Sequence, residues 1–91
     1  MDIINFLAEK LSKEIGITIF ATRGLIKLSI SDELGPYFLF KQITFEQLSK
    51  VIQNSLKRRM MKLQVNDVEF LVDFLNNELI QNQSLILMSK I

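Results

Sequence analysis

Thr44 and Gln47 stand three residues apart at the head of an apolar periodicity, and this pairing commits the segment behind it to a helix. In such a capping box the hydroxyl accepts from the backbone N–H three residues on, and the glutamine side chain accepts from the N–H of the cap. Ile43 and Leu48 occupy the positions of a hydrophobic staple. Phe45, Leu48, Ile52, Leu56, Met60 and Leu63 then recur at helical spacing as a buried stripe. The pattern predicts a helix from Thr44 to about residue 62.

Two more helices follow from the same reasoning. Asp2 caps a segment over 3–15 in which Ile4, Leu7, Ala8, Leu11 and Ile15 form one stripe, and Gly16 supplies a left-handed stop. Glu9 and Lys13 sit four apart on its wet face. Asn66-x-x-Glu69, with Val65 and Phe70 as staple, reads as a second capping box. It opens a helix reaching about residue 80, with Val68, Leu71, Val72, Leu75 and Leu79 inward.

Elsewhere the period changes to two. Ile17, Ile19 and Ala21 alternate with Thr18, Phe20 and Thr22, and Ile26, Leu28 and Ile30 alternate with Leu25, Lys27 and Ser29. With Arg23-Gly24 between them these runs predict a β-hairpin. Asp32-Glu33-Leu34-Gly35-Pro36 reads as a turn, Tyr37–Gln42 as a third strand, and the apolar tail Ser84–Ile91 as a fourth. The expected fold is α+β: a small antiparallel sheet of three to four strands packed against three helices, in the order α-β-β-β-α-α-β, as a single domain over 1–91.

Chemistry is constrained mainly by what is missing. The chain has no histidine and no cysteine. Histidine acid–base catalysis, Ser-His and Cys-His nucleophiles and the usual zinc, iron and copper ligands are therefore absent. Asp32-Glu33 is the only adjacent carboxylate pair and reads as solvated. No Walker sequence, dinucleotide fingerprint or calcium loop occurs. The expectation is a non-catalytic protein with no cofactor and no metal. Lack of cysteine, of a signal-peptide pattern, of a lipidation motif and of any long apolar run places the expected location in the cytoplasm, away from membranes.

Apolar residues make up 48% of only 91 positions, which is more than a small interior readily hides. That surplus points to a surface covered by another chain. Phe70 and Phe74, four apart and off the buried stripe of their helix, are the expected partner-binding residues. A second surface is the basic run at 57–62, where Lys57, Arg58, Arg59 and Lys62 join Lys50 as a candidate contact for nucleic acid or an acidic partner. Helical geometry spreads these charges around the helix end and leaves no single docking stripe. The segment after it carries Asp67, Glu69, Asp73 and Glu78 against Lys90, so the two helices are able to pair by charge. The leading expectation is a protein–protein interaction module: a small subunit, adaptor or regulator, with a homodimer as its simplest form. The alternative is a nucleic-acid-binding regulator using residues 57–62, with weak binding. A winged arrangement is disfavoured because its recognition helix would be the acidic one.

Overall fold

A computed structural model of the protein describes residues 2–88. Among them there is no strand, and every regular element is helical: α1 (Ile3–Ile15), α2 (Ile19–Leu34), a 3₁₀ turn (Phe40–Gln42), α3 (45–62), α4 (Val68–Gln81) and α5 (Ser84–Met88). The expected α+β fold is thus replaced by a ring of four helices. α1 packs on α2 and α4, and α3 packs on the same two from the other side. Leu7, Leu11, Ile26, Ile30, Leu48, Ile52, Leu56, Met60, Leu75 and Leu79 fill the centre. Ile86 of α5 is buried with them.

The helices read from the Asp2 and Thr44 caps form where expected. The Asp2 carboxylate accepts from Asn5 N at 2.8 Å, and Gly16 ends α1 with φ 72°. Both bonds of the Thr44 box are made, at 3.1 Å from Gln47 N to Thr44 Oγ1 and 2.9 Å from Thr44 N to Gln47 Oε1. Such a cap contributes about 1 kcal/mol. Behind it, α3 contains a wide π turn at Ile52–Leu56. Its buried residues explain why. Leu48, Ile52, Leu56 and Met60 are spaced by four, and each such step overshoots a full α-turn by about 40°. Three steps would carry Met60 roughly 120° off the core. A turn closed by i→i+5 bonds holds one more residue and takes back much of that rotation.

The expected hairpin at 17–30 is instead the single helix α2. Its buried positions are Thr22, Leu25, Ile26, Ser29 and Ile30, a helical period that appears only when two hydroxyl residues count as interior. Both are satisfied within their own helix: Thr22 Oγ1 donates to Thr18 O at 2.9 Å and Ser29 Oγ to Leu25 O at 2.8 Å. The large apolar residues Ile19, Phe20 and Leu28 face outward. Apolar residues therefore stand on both faces of this helix, and alternation in the sequence imitates a strand. Thr18 caps α2 by accepting from Ala21 N at 3.1 Å.

Gly24 is not a turn residue but lies exposed in mid-helix, with open space where a Cβ would be. Replacing Gly24 with Ala is expected to raise stability by about 0.5–1 kcal/mol. Urea denaturation checks this, and a loss of stability would speak for the hairpin.

The other strand expectations fail for local reasons. Tyr37–Gln42 is coil ending in the 3₁₀ turn, with Tyr37 and Leu39 exposed. Ser84–Met88 is a short helix, and the last three residues of the expected fourth strand lie outside the described residues. Asp32 and Glu33 belong to the last turn of α2, and both are engaged by α3. The second capping box is absent. α4 is capped one residue later, at Asp67, whose side chain makes no cap bond. Among the described residues no helix is long and apolar enough to cross a membrane.

Candidate functional site

α3 ends and α4 begins within five residues, 63–67, and the geometry of that reversal opens a hollow on the surface. Gln64 N donates to Met61 O and Val65 N to Met60 O, both at 3.0 Å. These are the paired bonds of a Schellman motif, which places its first residue beyond the cap in the left-handed region. Glycine normally stands there; here it is Gln64, with φ 59°. Asp67 is also left-handed, with φ 57°. A left-handed residue with a Cβ costs roughly 1–2 kcal/mol, less for aspartate. Both exceptions fall in the same short loop.

The loop projects Leu63 outward, 61% exposed, whereas its periodicity placed it inside. Together with the end of α1 and the start of α4 it walls a groove of about 640 Å³, lined on the apolar side by Ile15, Ile17, Leu63, Val65 and Phe70. Phe70 is 60% exposed and Ile17 42%. Walls this open suit a docked chain segment better than an enclosed small molecule. The charged side chains lining the groove are Glu14 and Asp67.

Phe70 and Phe74 stack at 6.3 Å between centroids and 14° between planes, but they divide the two roles offered for them. Phe74 is partly buried and packs against the core, while Phe70 stands at the groove. Sequence periodicity separated both from the buried stripe but could not rank them. It does not gather Ile17, Leu63, Val65, Glu14 and Asp67 on one surface: Leu63 reads as interior, Val65 as a staple and Asp67 as one of several charges. Their convergence depends on two left-handed residues that no glycine announces.

The basic residues do not converge. Lys57 Nζ lies 2.6 Å from Glu69 Oε1, so α3 and α4 pair within one chain. Arg59 binds Asp32 through Nε at 2.6 Å and Nη2 at 3.1 Å, tying α3 to α2. Arg58 donates to Ser55 Oγ at 3.3 Å, and that hydroxyl donates to Glu33 Oε1 at 2.7 Å. Lys50 and Lys62 are exposed, without an ion pair among the described residues. Hydrogen bonding to Arg59 is the largest influence holding the Asp32 carboxyl below its ordinary range. Its folded pKa is depressed, so the pair's contribution is complete above the ordinary aspartate value and is lost as pH falls through the lowered one. The pair is well solvated, which keeps that contribution small.

Among the described residues no group of three or more acidic side chains is close enough to hold a metal ion. Comparison of the chain with protein-family models, curated proteins and solved structures returns no match.

Proposed function

We propose that this chain is a non-catalytic protein-binding module that docks a segment of another polypeptide in the groove between the end of α1 and the start of α4. The observation that carries the reading is the convergence of Ile17, Leu63 and Phe70, three large apolar side chains that the fold leaves between 42% and 61% exposed. Exposed apolar clusters of this kind mark interaction sites, and an aromatic residue commonly anchors them. The left-handed backbone at Gln64 and Asp67 supports the same reading, because strain of this kind gathers at binding sites. The alternative of nucleic-acid binding has less support. Lys57 and Arg59 are held in ion pairs with Glu69 and Asp32, which reduces the charge left for phosphate.

The test is site-specific photo-crosslinking in cells. A crosslinking amino acid at Phe70 is expected to yield a discrete adduct with another polypeptide. The same group at Asn54, exposed on α3, is expected to yield none. Equal yields from both positions would remove the groove from consideration.

A further inference from the structure

Resting on that reading, we infer that the groove selects a basic amphipathic helix: a partner segment with apolar anchors on one face and Lys or Arg flanking them. Two observations specify the occupant. The first is charge. Glu14 and Asp67 are the charged residues lining the groove, and neither carboxylate has a hydrogen bond or ion pair among the described residues. Asp67 is notable because it holds the N-cap position of α4 without capping it. Its left-handed backbone leaves the carboxylate free for another donor. An apolar floor with two free carboxylates at its rim complements apolar side chains bordered by cations.

The second observation is the absence of a strand among the described residues. A docking segment finds no sheet edge there to extend, so docking rests on side-chain anchors, the mode in which an amphipathic helix lays its apolar face into a groove. A second copy of this chain fits less well. Two-fold pairing through this groove would bury the acidic rim of Glu14 and Asp67 against an identical patch that offers no lining cation, and like charges at an interface oppose association.

The full chain is titrated with two synthetic peptides of roughly 14 residues that share leucines at helical spacing, one flanked by lysines and the other by glutamates. The lysine peptide is expected to bind about fivefold or more tightly at low salt, with amide shifts concentrated at Ile15, Ile17 and residues 63–71. That preference shrinks in about 1 M salt. A Glu14→Lys, Asp67→Asn double variant is expected to erase or reverse it. Asparagine tolerates the left-handed backbone, and Glu14 is exposed, so this variant keeps its fold. Phe70→Ser is expected to weaken both peptides about tenfold or more, with unchanged circular dichroism.

Equal affinity of the two peptides at the groove would overturn the charge selection and leave the groove as a binding site. Self-association through Phe70 would make a second copy the occupant, overturning the inference but not the module. If neither peptide shifts these amides at concentrations of about 1 mM, a level at which even weak docking registers, both readings fall.

Discussion

Replacing Ser29 with Leu is expected to destabilise the protein by about 1–3 kcal/mol, although it adds an apolar side chain to an interior position. Ser29 is fully buried on the inner face of α2. Small residues recur on the helices packed together there: Ala8 and Ser12 are buried on α1, and Thr22 and Ser29 on α2. Side chains of this size let helices approach closely, and a leucine in that space forces backbone shifts or poor rotamers. Its hydrophobic gain does not offset them where the helices are already closely packed. Ser29→Ala separates size from polarity. The lost hydroxyl bonded only to a carbonyl of its own helix, so this variant is expected to stay within about 0.5 kcal/mol of the parent. On the opposite face Phe20 is 76% exposed, with the Arg23 guanidinium over its ring at 5.2 Å from the centroid. Phe20→Ser is also expected to cost no more than about 0.5 kcal/mol. Urea denaturation of the three variants reads the pattern directly. If Ser29→Leu stabilises while Phe20→Ser unfolds the protein, the faces of α2 have been assigned the wrong way round.

Deleting Lys50 is expected to remove more than about 3 kcal/mol, whereas deleting Asn54 is expected to change stability by about 1 kcal/mol or less. Both residues are exposed and polar on α3, so composition alone predicts no difference. The distinction is phase. Asn54 lies in the π turn, which accommodates one residue more than a regular turn. Its removal lets the turn close as α-helix while Val51, Leu56 and Met60 keep their directions. Lys50 precedes the π turn. Its loss either rotates the first half of α3 by about 100° or drives Val51 and Ile52 out of the core. Both side chains are essentially fully buried. A chain of this length has a total stability of roughly 5–14 kcal/mol, so the Lys50 deletion takes a large share of it. Thermal unfolding followed by circular dichroism gives the comparison. Equal losses would show that the wide turn is not holding an extra residue.

These two expectations meet at the limits of sequence reading. α1, α3 and α4 were legible because each carries a local chemical start or an apolar stripe at helical spacing. Asp2, the Thr44–Gln47 pair and the glycine at position 16 act within one turn of chain, so their meaning does not depend on distant residues. Leu71, Val72, Leu75 and Leu79 of α4 lie inward as their spacing predicts, and Val68 is partly buried against the core. α2 was not legible. Thr22 and Ser29 face the core beside Leu25, Ile26 and Ile30, while Ile19, Phe20 and Leu28 face out, and which face turns inward is decided by what α1 and α3 press against it. The groove was half legible. Phe70 stood out as surplus, but Leu63 was assigned to the interior because helical periodicity carries no warning that the chain is about to reverse. The reversal uses Gln64 and Asp67 in left-handed conformations that glycine would have advertised. Local capping and periodicity therefore determined where three helices lie. Packing between helices alone decided that the hairpin is a helix, that α3 widens to keep its core residues aligned, and that Ile17, Leu63 and Phe70 share one surface. Those outcomes depend on shape and contact between segments distant in sequence, a term that local propensity does not contain.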